Sequence, residues 1–282
     1  MPEFAAATHP GLKRGNNEDC YEADPTLGLW LVADGVGGHA SGEVASAIVR
    51  QTIKSSFAEG LPLLDCVHRA HQAVLAEIAG SSVESNMGST IVALAMEDNN
   101  YTLVWVGDSR AYLWNGKVLT QLTQDHSRIA MLLEQGVIHY KEARTHPERH
   151  MLTQSMGISA DMSISPGLLQ GRLASGNQIL LCSDGLTDEL EDRDIVAHLS
   201  DNDSLQSRVD ALLQAALDAG GRDNVTVVLV DSCPATKDVD LETTQNTSRI
   251  DGLRRTDSGW QRWETWVFVV AVIVAAVWTL LS

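Results

Sequence analysis

Along most of this chain the apolar positions fall into short runs whose spacing alternates between strand-like and helix-like. Crowded Val, Leu, Ile and Trp predict strands over Leu29–Ala33, Thr90–Met96, Tyr101–Val106, Ala111–Trp114, Gln178–Cys182 and Val225–Asp231. Helices are predicted over Glu43–Phe57, Leu64–Ala79, Ile129–Gln135 and Leu205–Ala219. In the second of these, Val67, Ala70, Val74 and Ile78 recur on one helical face. Asn115-Gly116, followed by Lys117-Val118-Leu119, is a two-residue hairpin signal. The strands arrive in hairpin-like succession and the helices in blocks, which predicts an α+β fold rather than a doubly wound parallel sheet. No internal repeat is visible.

From Ser232 to Gly259 this periodicity stops, and Pro, Asp, Thr, Asn and Ser take over. Such a stretch suits a flexible linker. Trp266–Leu281 then carries no charge, and a helix from Trp263 to Ser282 would be about 30 Å long, the thickness of a bilayer's hydrocarbon core. Trp260, Trp263, Trp266 and Trp278 lie towards the two ends of this segment, where interfacial tryptophans belong. Arg254, Arg255 and Arg262 precede it and no charge follows, so positive-inside reasoning places the globular part in the cytoplasm. A buried or dimerising helix is the competing reading of the sixteen-residue charge-free run. The expected organisation is a globular domain over 1–232, a linker over 233–260 and a single-pass tail anchor over 261–282, held in the cell's inner membrane.

Composition narrows the choices. The 282 residues are 44% hydrophobic and 20% charged, enough apolar material for a sizeable core. The net charge of −17 leaves nothing basic to neutralise phosphates, which excludes nucleic acid as a partner. The four cysteines, Cys20, Cys66, Cys182 and Cys233, are scattered without C-x-x-C spacing. They read as small buried hydrophobes in a reducing compartment. Met1–Gly11 has no apolar h-region, so no signal peptide is expected.

The chemistry lies in where the carboxylates sit. Five patches place aspartate beside glycine or at the end of a predicted strand: Arg14-Gly-Asn-Asn-Glu-Asp19, Ala33-Asp-Gly-Val-Gly-Gly-His39, Val106-Gly-Asp-Ser-Arg110, Ser183-Asp-Gly-Leu-Thr-Asp188 and Gly221-Arg-Asp-Asn-Val-Thr226. Taken singly, Asp-Gly is a common turn. Five at strand ends in one domain would repel one another in a cleft unless a cation neutralises them. Oxygen donors of this kind suit Mg²⁺ or Mn²⁺, not zinc.

In order and spacing these patches resemble the metal-dependent protein phosphatases of the PPM (type 2C) family, bacterial branch. The resemblance runs from about Leu12 to Asp231 and takes in Gly88-Ser-Thr90, Leu122-Thr-Gln-Asp-His126 and Leu152-Thr-Gln-Ser-Met-Gly157. It implies a central β-sandwich of two antiparallel sheets flanked by helices. It also implies that Asp34 bridges two tightly bound Mn²⁺ or Mg²⁺ ions, with the Gly35 carbonyl on one of them and Asp184 and Asp223 completing the second site. Glu18 and Asp19 match an acidic pair that meets the metals directly or through water, and Asp108 with Asp184 matches a third, weaker site. Arg14 matches the arginine that grips the substrate phosphate. The implied reaction is hydrolysis of phosphoserine and phosphothreonine on proteins by a metal-bridging hydroxide, opposing a serine/threonine kinase at the cytoplasmic membrane face.

His39 is a candidate general acid, yet Val36 stands where eukaryotic members carry a histidine, so a structural or substrate-orienting role competes. His126 is a second candidate, against a loop-packing role. The stretch Ser127–Ser165 matches a mobile flap; its His139, His146, His150, Arg144 and Arg149 are expected to face solvent, with Arg144 or Arg149 able to reach substrate. His68 and His71 are expected at the surface or its boundary. Two rival functions keep the same fold: a membrane-tethered binding module that has lost catalysis, and a phosphohydrolase acting on small molecules.

Overall fold

Strict two-residue alternation along the central strands explains the architecture of this computed structural model, which describes residues 1–37, 41–80, 87–157, 163–201 and 203–233. The elements in chain order are β1 (Phe4–His9), β2 (Asp19–Asp24), β3 (Leu29–Val36), α1 (Ser41–Ala58), α2 (Leu63–Gly80), β4 (Gly88–Ser89), β5 (Ile91–Glu97), β6 (Asn100–Val106), β7 (Arg110–Trp114) and β8 (Leu119–Gln121). They continue with α3 (Arg128–Glu134), α4 (Tyr140–Ala143), β9 (Gly167–Arg172), β10 (Gln178–Cys182), α5 (Asp184–Thr187), α6 (Asp192–Leu199), α7 (Leu205–Ala219) and β11 (Val225–Asp231).

One sheet runs β1-β11-β10-β7-β8 and the other β2-β3-β5-β6-β9, with β4 beside β3; every pairing is antiparallel. Successive side chains point to opposite faces, so each central strand serves two cores. In β3, Trp30 and Val32 enter the core between the sheets, with Val92, Leu94, Leu103, Ile179, Leu181 and Val228. Leu29, Leu31 and Ala33 face the other way and pack against α1 and α2 through Val49, Ile53, Val67 and Val74. Leu180, Cys182, Val227 and Leu229 likewise face α6 and α7 through Ile195, Leu199, Val209 and Leu212. The result is a four-layer sandwich, helices outside and two sheets within, as the α+β expectation required.

The α2 stripe carries one correction. His71, expected at the surface or boundary, is buried at 3% exposure, while His68 is exposed. Residue 71 follows 67 by four and precedes 74 by three, so it lies on the apolar face. The hairpin after β7 forms, with its turn at Gly116-Lys117 between the paired Asn115 and Val118 rather than at Asn115-Gly116. The four cysteines are free thiols; Cys66 and Cys182 are buried, whereas Cys20 and Cys233 are only partly so.

The strand ends sort into two poles. Asp34, Asp108, Asp184 and Asp223 gather where β3, β6, β10 and β11 meet their turns. The β5–β6 turn lies at the other pole, where the Asn99 side chain accepts a hydrogen bond from Cys233 N–H at 2.7 Å. His39, the linker from residue 234 and the apolar tail lie outside the described residues. Among the described residues no helix is long and apolar enough to cross a membrane.

Candidate metal centre

Antiparallel register brings the first two carboxylates together: Asp19, the first residue of β2, pairs with Asp34 of β3. Asp34 is fixed by its backbone, donating N–H to Thr90 Oγ1 at 3.2 Å and accepting from Thr90 N–H at 2.8 Å. Asp19 is fixed by its side chain. Its Oδ2 accepts from Ser183 Oγ and Thr226 Oγ1, each at 2.7 Å, so the residue after β10 and a residue of β11 aim a carboxylate borne on β2. Its Oδ1 is buried and has no hydrogen-bond partner.

Two glycines let the backbones close in. A Cβ on Gly35 would stand 2.1 Å from Gly42 O and 2.8 Å from Glu18 O; one on Gly185 would stand 1.9 Å from Asn224 O. Neither leaves room for a side chain. The loop holding Arg14 and Glu18 is tied down from the far end of the chain: Asn224 donates to Pro10 O and Asn16 O, both at 2.9 Å, and accepts from Glu18 N–H at 2.7 Å. Asp223 Oδ1 accepts from Asn224 N–H at 2.8 Å, while its Oδ2 accepts from Arg14 Nη2 at 2.6 Å. Arg14, matched to phosphate binding, therefore sits at the rim of the carboxylate cluster, half exposed.

The electrostatics show that these groups form one cluster. Burial pushes Asp34 well above the ordinary carboxylate range, and the charges of Asp19, Asp184, Asp108 and Asp223 add to the effect. Asp184 is raised in the same way, first by burial and then by Asp108, Asp188, Asp223 and Asp19. Burial lifts Asp108 to about 7 and Asp19 to about 6, the latter against the opposing hydrogen bonds from Thr226 and Ser183. Glu18 is raised by burial and by Asp223 and Glu43, against the lowering pull of Arg14.

An oxygen-only donor set, mutually repelling carboxylates and an orphaned buried Asp19 oxygen fit divalent Mn²⁺ or Mg²⁺. The six predicted carboxylates, Glu18, Asp19, Asp34, Asp108, Asp184 and Asp223, lie at this pole with Gly35. Sequence reasoning missed their supports, Ser183, Thr226 and Asn224, although all three stand inside or beside the quoted patches. It also missed that one ligand atom each from His150, Asp184 and Asp188 lie within 4.8 Å of one another.

A cleft of about 1190 Å³ opens beside the cluster, lined by Asp108, Asp125, Arg144, Arg149, His150 and Asp184 among others. Arg144 is committed to the protein: it donates to Thr187 O and Asp188 O at 3.2 Å and pairs with Glu191 at 3.2 Å. Arg149 lines the cleft and is exposed. His126 packs a loop, its Nδ1 accepting from Gly107 N–H at 3.3 Å and its ring stacked on Trp105; burial lowers its pKa.

Comparison with known proteins agrees with this geometry. Residues 16–229 match the family model described as protein phosphatase 2C. The chain is 36% identical over 234 residues to the serine/threonine protein phosphatase PstP of Mycobacterium tuberculosis, a match covering 81% of this chain and 44% of that protein. The chain thus spans less than half the length of that relative. It is 33% identical to the serine/threonine phosphatase stp of Listeria monocytogenes, covering 79% of this chain and 93% of that protein. Among solved structures, the PstP catalytic domain in complex with two manganese ions superposes with a TM-score of 0.73 at 33% identity, covering 82% of this chain and 97% of that one. With its family model matched across both sheets and relatives of one kind on every side, this chain belongs to the protein phosphatase 2C family.

Proposed function

We propose that this chain hydrolyses phosphoserine and phosphothreonine on proteins in a reaction that needs Mn²⁺ or Mg²⁺. The observation that carries the reading is the cluster of Asp19, Asp34, Asp108, Asp184 and Asp223, with a buried Asp19 oxygen unpartnered and an arginine at its rim. Asp34, the Gly35 carbonyl, Glu18, Asp19, Asp184 and Asp223 would hold two ions, and Asp108 with Asp184 a third. Bound there, divalent ions supply Lewis acidity and a water acidic enough to be a nucleophile near neutral pH. The chain's own part is to hold the carboxylates rigidly through Ser183, Thr226 and Thr90, and to meet the phosphate with Arg14. Its planar fork suits two hydrogen bonds to one phosphate. The cleft under the flap would take the polypeptide around the phosphorylated residue. The names of PstP and stp, both serine/threonine phosphatases, support a protein substrate over a free small molecule.

The tail adds a second element to this reading. The charge-free run Trp266–Leu281 and the arginines before it support a single-pass anchor over 261–282, with the catalytic domain on the cytoplasmic side. Such an anchor raises the local concentration of the enzyme near membrane-bound kinases and their substrates. The test is phosphate release from a phosphothreonine peptide by the full chain in detergent. Release that requires Mn²⁺ and stops in EDTA is the expected result. A folded protein that binds the peptide but releases nothing with either metal would favour the binding module.

A further inference from the structure

The one deeply buried histidine among the described residues lies outside the carboxylate cluster. His71 of α2 is 3% exposed, and its Nδ1 accepts a hydrogen bond from Gly157 N–H at 3.0 Å. An accepting Nδ1 fixes the neutral ring with its proton on Nε2. Gly157 is pressed into place, with φ +80° and a Cβ position 2.5 Å from Val74 Cγ1 and 3.0 Å from Met87 O. The preceding residue, Met156, exchanges backbone hydrogen bonds with Ser89 at 2.7 and 3.1 Å. Ser89 in turn pairs with Gly35 across β3 and β4. At its other end the same segment is held by the Ser127–Leu152 bridge and by Thr153 N–H donating to His126 O at 2.9 Å.

Residues 152–157 are therefore the returning root of the flap, clamped between α2 and the strand end that carries Asp34 and Gly35. We propose that His71 is a positioning residue for catalysis: by accepting from Gly157 it holds the flap root in register with the metal-site strand, and so sets where the flap lies over the substrate cleft. A residue that merely filled the core would not need an acceptor at this atom. The role in turnover rests on the phosphatase reading; the placement of the segment does not.

The test compares His71→Leu, His71→Asn and His71→Gln in the full chain. Asn puts Oδ1 as many bonds from Cα as Nδ1; Gln puts its oxygen one bond further, and Leu offers none. With Mn²⁺, His71→Leu is expected to lower kcat/KM on a phosphothreonine peptide about tenfold or more, chiefly through KM. The loss on para-nitrophenyl phosphate, which does not span the cleft, should stay within about threefold. His71→Asn should recover most of the peptide activity and His71→Gln should not. Amide exchange needs no turnover: the 152–157 segment should exchange faster in the Leu and Gln variants and at the wild-type rate in Asn. Equal impairment by Asn and Leu, or unchanged exchange in Leu, would overturn the proposal. If His71→Leu does not fold, Asn against Gln decides by the same measurements. A wild type without activity would count against the phosphatase reading and leave exchange to decide this one.

Discussion

Among single residues, Asp19 says most. A buried acceptor left without a partner costs about 1–3 kcal/mol, and here the orphan is one oxygen of a carboxylate whose other oxygen takes two hydroxyl hydrogen bonds. The cost makes sense if the free oxygen faces a cation. Asp34→Asn is expected to abolish Mn²⁺-dependent turnover and, by removing one of the repelling charges, to raise the melting temperature of the metal-free protein. An Asn variant that melts lower in EDTA than wild type would count against a strained cluster. The sign of the pH response follows from the raised values. A carboxylate whose folded pKa exceeds its unfolded one stabilises fully below the unfolded value, and that contribution fades as pH climbs through the folded value. With Asp19 at about 6 and Asp108 at about 7, the EDTA-treated protein should melt at progressively lower temperature from pH 5 to 7.5. Mn²⁺ should flatten or reverse that slope, and at saturating concentration add on the order of 5–10 °C. Thermal melts across this window, with and without metal, are the measurement. The carboxylates themselves were legible in the sequence, because each stands in one of five short patches, Glu18 and Asp19 sharing the first. Ser183, Thr226 and Asn224 were not, because their roles exist only once distant strands are neighbours.

The same logic separates the secondary elements that could be read from those that could not. Every strand predicted from apolar runs is interior to its sheet: β3, β5 and β6 in one, β7, β10 and β11 in the other. Of the strands left out, β1, β2 and β9 are edges and β4 is a two-residue strand paired with the end of β3; β8, the fourth edge, shows only as the return arm of a hairpin. An edge strand has one paired flank and more open surface, so sequences such as Asp19-Cys-Tyr-Glu-Ala-Asp24 need no apolar run. The short helices α4, α5 and α6 escaped for a different reason: α5 is a single turn, and α4 and α6 are stabilised by capping boxes at His139 and Glu191 rather than by long stripes. The flap that carries α3 and α4 is held to the end of α5 and the residues after it by Arg144. Exposed ion pairs contribute little to global stability, roughly 0.2–1 kcal/mol. Arg144→Ala should therefore leave the melting temperature nearly unchanged while the protease Glu-C cuts faster at Glu134 and Glu142. A variant cleaved no faster than wild type would show that this arginine does not hold the flap.

For the whole molecule, the proposed anchor makes a plain prediction: deleting residues 260–282 should yield a soluble protein with full activity on phosphopeptides, and its recovery in the membrane fraction would refute the anchor. The chain leaves the domain through β11 and Cys233, beside Asn99, at the pole away from the carboxylates. A pull on the tail therefore runs along β11, which is flanked on both sides by antiparallel partners, β1 and β10. That geometry is shear, in which the ladder hydrogen bonds on both flanks share the load instead of opening one at a time. The load enters at the Asp231 end of β11, about 20 Å, the length of a seven-residue strand, from the Val225 end that adjoins the carboxylate cluster. A tug on the tail is thus divided between two ladders along β11 before any of it reaches the carboxylate pole.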